Sequence, residues 1–376
     1  MKIVVTGASG LLGWHASVLL HSRNCAARFR HEAEPFEIAR LDHKGFSDPA
    51  TLRDAVEGAD AVLHYAGVNR APDDVVERTN PAVAEALLAA VRTAGSTPHI
   101  VYANSTHALG DTPYGRSKRR AAESLASGPG GMTNLILPHI FGEGARPYYN
   151  NVTATLIDQL IRGERHDVNP DGKVQLLHAG VAADVAVDAA ITRQLGEVAP
   201  MGRSMSVPDL LDRLTRFHKS YLQNLYPDLA DPFDVSLFNS YRAALYPAGF
   251  PRPLRLNKDA RGTLFEAVKG GGGGQTFLSW TEPGVTRGDH FHIRKIERFL
   301  VLEGEAVIRI RRVLGGPVWD YPVSGAEPSV VDMPTLHTHS IENVGATPLL
   351  TLFWSNEIFD PANTDTYADP VLRADR

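Results

Sequence analysis

Apolar and polar positions fall into two textures along this chain. Through residue 245, short apolar runs alternate with stretches of helical period, the pattern of a parallel sheet built from strand–helix–strand units. The predicted strands are KIVVTG (2–7), ARFR (27–30), DAVLHYAG (60–67), HIVYANS (99–105) and NLILPHIFG (134–142). Helical segments such as LLGWHASVLLHS (11–22) and NPAVAEALLAAVRTAG (80–95) lie between them. At YPAGFPRPLRLNKDARG (246–262) the texture turns Pro- and Gly-rich. Short strands with turns follow: GTLFEAV, QTFLSW, RFLVLEGEAVIRIRRV, VWDYPV and LLTLFWSN. The expectation is an α/β domain over 1–245 and an all-β barrel or jelly roll over 250–376. The five glycines at 270–274 read as a flexible turn with no chemical duty.

Composition narrows the functional classes. The 376 residues predict two domains, and 43% hydrophobic with 22% charged residues is a soluble globular balance. A net charge of −5 makes no electrostatic case for nucleic acid or an acidic membrane. No window reaches the length of a membrane span, and the first residues read as a buried strand rather than a signal peptide. A cytoplasmic protein is expected. Cys25 is the single cysteine, so neither an internal disulfide nor a cysteine metal site is available.

Chemistry concentrates in two places. VVTGASGLLG sets Gly7, Gly10, Leu12 and Gly13 at the turn from the first strand into a helix, where backbone N–H groups can approach a pyrophosphate. Arg28 and Arg30, placed at the end of the expected second strand, suit the 2′-phosphate of NADP. The same pair also reads as solvated surface arginines, which leaves NAD open. YGRSK puts Tyr114 and Lys118 on one helix face, where an ammonium lowers the pKa of a phenol that exchanges a proton with a carbinol oxygen. Ser105 or Thr106, closing HIVYANST, could hydrogen-bond that oxygen. Far downstream, His290 and His292 alternate in a strand and so point together, and Glu297 follows after room for a turn.

The first set resembles the extended short-chain dehydrogenase/reductases that act on nucleotide sugars. That resemblance implies Tyr114 as acid/base, Lys118 as its partner and nicotinamide-ribose ligand, and Ser105 as third member, with Thr106 a rival. It also implies Ala66 and Gly67 of HYAGVNR (64–70) as cofactor lining and PHIFG (138–142) as a flank of the nicotinamide. His107-Ala108 follows where sugar dehydratases carry an Asp-Glu pair, so ketone reduction is the better fit. The second set, completed by MPTLHTHSIENVG, is similar to the two motifs of the cupin barrel. It implies His290, His292, Glu297 and His339 as ligands of one divalent metal, with His337 an alternative. Zinc, iron, manganese and nickel all suit such donors. LNKDARGTLFE (256–266) is similar to the opening of deoxysugar 3,5-epimerases, in which a histidine placed like His290 is the base of metal-free members.

Over essentially its whole length the chain resembles the CapF family of bifunctional capsular polysaccharide enzymes. AGVNR, PYGRSK, RPYYNNV, LNKDARG, IENVG and WSNEIFDPANTDTY (354–367) carry the likeness. It implies a cupin that epimerises C3 of a UDP-2-acetamido-2,6-dideoxy-4-ketohexose and a reductase that uses NADPH on the C4 ketone. It further implies zinc in the cupin, a homodimer or higher oligomer, and Arg146, Tyr149 and Asn150 as sugar contacts; PYYNN also reads as a plain polar loop. Departures from the family are Leu336 for a glycine, VAADVA (181–186) for an acid pair, and NST for a serine triplet. Two rival readings remain: a reductase whose zinc cupin only dimerises, and an iron cupin oxygenase fused to a reductase.

Overall fold

The computed structural model describes residues 1–166 and 168–372. Packing divides the chain into two units, one of Met1–Thr155 with Asp167–Asp209 and one of Leu156–His166 with Leu210–Arg376.

The first unit begins β1 (Lys2–Thr6), α1 (Leu11–Phe29), β2 (Glu37–Leu41), α2 (His43–Ser47), α3 (Pro49–Val56), β3 (Ala61–His64) and α4 (Asp73–Thr93). It continues with β4 (His99–Ser105), α5 (Pro113–Ala126), β5 (Met132–Leu137) and β6 (His139–Phe141). The helix α6 (Val152–Arg162) leads out of it, and β7 (Lys173–His178), α7 (Ala179–Thr192), β8 (Gly196–Val198) and β9 (Arg203–Ser206) complete it. Six parallel strands run in the order β2-β1-β3-β4-β5-β8. Strand alternation sends Ile3, Val5, Leu63 and Val101 to a core shared with α1 and α7. Val4, Val62 and Ile100 go to the opposite core, shared with α3, α4 and α5. The result is a doubly wound Rossmann-type sheet, as expected.

One strand was misplaced by its pattern. ARFR is the last turn of α1, and the second strand is EIARL at Glu37–Leu41. Nothing in SRNCAARF breaks a helix before His31, whose backbone is left-handed (φ 59°). Arg28 and Arg30 therefore stand about 25 Å along α1 from its glycine-rich start, at the wrong end of the sheet for a cofactor phosphate. They pair instead with Glu34 (2.6 Å) and Glu32 (2.7 Å). The residue that follows β2 is Asp42, which caps α2 by accepting the Gly45 N–H at 2.9 Å.

The second unit holds α8 (Val207–Leu222), β10 (Leu225–Tyr226), α9 (Pro232–Ala243), β11 (Arg252–Pro253), β12 (Asn257–Asp259), β13 (Gly262–Leu264) and β14 (Lys269–Gly270). Its barrel strands are β15 (Gln275–Thr281), β16 (Thr286–Phe291), β17 (Glu297–Glu303), β18 (Glu305–Arg312) and β19 (Val318–Ser324). They continue with β20 (Ser329–Met333), β21 (His337–Asn343), β22 (Leu349–Ser355) and β23 (Tyr367–Ala368). Two antiparallel sheets, β11-β20-β17-β22-β15 and β19-β18-β21-β16-β23, make the cupin-type jelly roll.

The change of texture near 245 marks where helices stop, but packing divides the chain earlier. Arg298 on β17 forms a bidentate pair with buried Asp332 on β20, at 2.6 and 2.8 Å. Tyr221 of α8 donates its hydroxyl to the same carboxylate, and Arg242 of α9 donates to the Met333 carbonyl at 2.8 Å. The two helices thus belong to the barrel's outer face. The glycine run also has more structure than a free turn. Gly270 pairs with Tyr226, and Gly270, Gly272 and Gly273 line a cavity of about 210 Å³ beside Trp354.

Candidate functional site

The first candidate site is built where β1, β3 and β4 end. Gly7 takes a positive φ of 63°, and a Cβ there would lie 2.9 Å from the Ala66 nitrogen, so only glycine lets the turn lie against the segment after β3. Gly10 and Gly13 follow at the head of α1, whose first-turn N–H groups lack intrahelical acceptors. Leu12 packs half-buried on the core beneath them. The Thr6 hydroxyl accepts the Ala66 N–H at 3.2 Å and lies 2.8 Å from Nδ1 of buried His64. Asn80 of α4 fixes the next residues, accepting from the Val68 N–H at 2.8 Å and donating to its carbonyl at 2.9 Å. Ala66 and Gly67 are thereby brought beside the glycine turn.

Tyr114 and Lys118 sit on α5, which starts where the sequence signals it should. Thr112 caps it by accepting the Gly115 N–H at 3.0 Å, and Pro113 takes the first helical position. A Cβ on Gly115 would lie 2.3 Å from the His107 carbonyl, so the glycine lets α5 close on the 3-10 turn Thr106–Leu109. That approach brings Tyr114 into hydrogen-bonding contact with Ser105. Thr106 is exposed on the turn itself, and no contact of its side chain with Tyr114 is seen.

The expected electrostatics differ in sign. Burial raises the Tyr114 pKa, against a smaller lowering by the Ser105 hydrogen bond. Burial also brings Lys118 down to about 7. The Lys118 ammonium donates to the Ala103 carbonyl and sits 4.1 Å over the Tyr102 ring. The phenol is consequently held in its protonated form.

The loop carrying Arg146, Tyr149 and Asn150 is exposed and reaches the segment after β3. Asn150 donates to the Asn69 carbonyl at 2.7 Å, and Arg70 donates to the Tyr148 carbonyl. Arg146 and Tyr149 lie on the same exposed stretch.

The second candidate site lies in the barrel. His290 ends β16, His292 follows it, Glu297 starts β17 and His339 lies on β21. Their ligand atoms all lie within 4.8 Å of one another. Oε2 of Glu297 is 3.0 Å from Nε2 of His292, 3.5 Å from that of His339 and 3.9 Å from that of His290. Donors about 2.1 Å from a tetrahedral Zn²⁺ are about 3.4 Å apart, so this spacing fits a divalent ion. The buried Nε2 atoms of His292 and His339 have no hydrogen-bond partner, which a metal ligand requires. Burial alone would raise the Glu297 pKa, but the charge of His292 and the three imidazoles gathered around the carboxylate hold it well below the usual carboxylate range.

Local backbone features aim these side chains. A bulge between Gly288 and His290 re-sets the register of β16, with Asp289 at a positive φ of 54°. Leu336 keeps the left-handed conformation (φ 60°) that a motif glycine would supply, so the turn survives the substitution. Leu336 is buried, and its N–H donates to the His292 carbonyl at 2.8 Å. His337, the alternative ligand, points elsewhere. Its Nδ1 lies 2.9 Å from the Thr335 carbonyl and its ring stacks on Trp319.

A cavity of about 580 Å³ opens at this cluster. Phe277, Trp280 and Phe299 wall it, and Arg287, His290 and Glu297 share its lining. Neither Arg287 nor the aromatic wall stood out in the sequence; the wall's only signal was the alternation of QTFLSW and RFLVLEG, and Arg287 had none.

A further group with ligand chemistry, His15, Glu143 and His178, lies in the first unit. Here His178 is hydrogen-bonded to the Glu143 carboxylate at 2.8 Å, and Nε2 of His15 lies 3.0 Å from the Glu143 carbonyl.

Residues 3–189 match the NAD dependent epimerase/dehydratase family, and residues 257–367 match the polysaccharide biosynthesis C-terminal domain. Over 381 residues the chain is 30% identical to the UDP-2-acetamido-2,6-beta-L-arabino-hexul-4-ose reductase of Pseudomonas aeruginosa, covering 99% of each. It is similar to the solved capsular polysaccharide assembling protein CapF of Staphylococcus aureus, at 30% identity and a TM-score of 0.56. That match covers 99% of this chain and 100% of the other. A CapF structure with the inhibitor 3-isopropenyl-tropolone matches at 29% identity and a TM-score of 0.54, with the same coverage.

Proposed function

The chain belongs to the CapF family, and from that premise we propose that it is a bifunctional nucleotide-sugar enzyme. In this reading the barrel epimerises C3 of a UDP-2-acetamido-2,6-dideoxy-4-ketohexose, and the first unit reduces the C4 ketone with NADPH. The observation that carries it is the coexistence in one chain of the Ser105–Tyr114 contact beside a glycine-rich turn and a three-histidine, one-glutamate cluster in a barrel cavity.

In the reductase site Tyr114 gives its proton to the ketone oxygen, a role that suits a phenol kept protonated by burial. Ser105 orients that oxygen. Lys118 meets the ribose of the nicotinamide nucleotide, with Gly7, Gly10 and Gly13 against the pyrophosphate. When bound, NADPH supplies the hydride. With Arg28 and Arg30 removed from the cleft, the cations flanking the end of β2 are Arg40 and Lys44, and they take over the proposed 2′-phosphate contact.

In the barrel, His292, Glu297 and His339 would hold a divalent cation, zinc in our assignment. When bound, such a cation supplies Lewis-acid stabilisation of negative charge developing on the C4 oxygen. His290 is the most exposed of the three imidazoles and shares the cavity lining. It carries two assignments, fourth ligand and C3 base, which His290→Asn separates: metal retained with proton exchange lost assigns the base. The exposed Phe277, Leu278 and Trp280 of edge strand β15 support a homodimer, to be checked by light scattering.

The test is incubation with NADPH and a UDP-4-keto-6-deoxy-N-acetylhexosamine in D2O. Loss of nicotinamide absorbance and deuterium at C3 are expected, and Tyr114→Phe should lower reduction about 10²–10⁴-fold while sparing the exchange. No oxidation with any 4-keto nucleotide sugar ends the reading. Oxidation without deuterium uptake leaves a reductase with a structural barrel. Bound iron with oxygen uptake would instead identify the oxygenase.

A further inference from the structure

We propose that the C-terminal segment 363–371 is a strap that sets the geometry of the barrel's ligand cluster, with Asp365 as its positioning residue. The inference rests on reading that cluster as a metal centre.

Asp365 is buried between β22 and β23, with a left-handed backbone (φ 46°) uncommon for a residue with a side chain. Its carboxylate accepts three successive backbone N–H groups, from Ile293 at 3.1 Å, Arg294 at 2.9 Å and Lys295 at 2.8 Å. Consecutive N–H groups converging on one anion form a nest, which fixes the backbone that supplies them. That backbone is the loop carrying the chain from His292 to Glu297. The carbonyl of Asp365 lies 2.6 Å from Nδ1 of His292. A proton on Nδ1, donated there, leaves Nε2 as the free ligand nitrogen.

The strap then continues along β16. Tyr367 pairs with Phe291 and Ala368 with His290. The N–H of Asp369 donates to the Asp289 carbonyl at 2.8 Å, and that of Val371 to the Asp289 carboxylate at 3.0 Å. Both bonds hold the bulge that turns His290. Side chains of the ligand loop close the contact from the other side, Arg294 on Asn363 at 3.3 Å and Lys295 on Thr366 at 3.2 Å. Three ligands, His290, His292 and Glu297, are thus tied to one segment about seventy residues away in the chain, and next to the fourth, His339 on β21, the Thr338 hydroxyl donates to the Asp369 carbonyl of the same segment.

The experiment compares wild type, Asp365→Asn, Asp365→Ala and the tail control Asp360→Asn. Zn²⁺ affinity is read by competition with a chelating dye at a temperature where all are folded, Co²⁺ spectra report ligand geometry, and amide exchange is followed at 293–295. Affinity should fall about 10-fold in Asp365→Asn and about 100-fold in Asp365→Ala, the range for groups that support metal ligands. The Co²⁺ spectrum should change, the three amides should exchange faster, and Asp360→Asn should match wild type. If Asp365→Ala does not fold, the near-isosteric Asp365→Asn still decides. Asp365 variants that bind Zn²⁺ within twofold of wild type overturn the strap while leaving the metal centre standing. A wild-type protein that takes up no Zn²⁺ overturns the metal reading, and the strap with it.

Discussion

Two clusters in this molecule offer the same donor types, and their local geometry separates them. The barrel group spaces its carboxylate oxygen 3.0, 3.5 and 3.9 Å from three imidazole nitrogens, and two of those buried nitrogens bond to nothing. In the first unit, His178 sits at hydrogen-bond distance from Glu143, and His15 is paired with the Glu143 carbonyl. Histidine and glutamate together do not make a metal site. Unsatisfied nitrogens at the edge length of a coordination polyhedron fit one, whereas saturated ones fit a buried polar network.

The contrast can be broken most forcefully at Glu297. Glu297→Ala should weaken Zn²⁺ binding by more than ~100-fold, beyond the loss expected from a supporting group. Glu143→Ala should leave the stoichiometry at one ion per chain, and metal analysis of both variants checks this. Next in size, Glu143→Gln should cost about 1–3 kcal/mol in denaturant unfolding of the first unit, since it disturbs a buried hydrogen-bonded carboxylate. An unchanged midpoint would show that the network bears little.

A buried charge of the opposite sign sharpens the point. Burial lowers the Lys118 pKa from 10.5 to about 7 in the folded protein. Between those values the unfolded chain binds more protons, so stability contributed by this group rises with pH from about 7 towards 10.5. Lys118→Met should flatten that slope in pH-dependent unfolding while abolishing reduction.

The smaller effects test turns and misplaced residues. At Leu336, alanine should be the worse replacement and glycine the better by about 1 kcal/mol, because only glycine relieves the left-handed backbone. Both lose the buried side chain. Arg28→Ala and Arg30→Ala should leave the KM for NADPH unchanged, and a clear rise would restore the rejected phosphate contact.

What could be read beforehand followed the range of the interaction. HIVYANS is β4 to the residue, and the spacing of His290, His292, Glu297 and His339 anticipated a cluster that folding brings together. Both depend on local alternation or on short motifs. The second strand was lost because a helix with no breaker runs on until left-handed His31, and ARFR has strand-like alternation by coincidence. The domain boundary was set too late, since Arg298 and Asp332 recruit α8 and α9 through contacts that no local pattern announces. Asp365 was invisible for the same reason. An aspartate in a polar tail is ordinary until three distant amides are found on its carboxylate.

That tail has a consequence for how the protein is made. Translation proceeds from the amino end, so Asp365 leaves the ribosome well after the loop whose amides it accepts. Until then the stretch between His292 and Glu297 has no anion to gather its amides. If the barrel holds an ion as proposed, its capture waits for this segment, and a nascent chain stalled before Asp365 would expose an unfinished pocket.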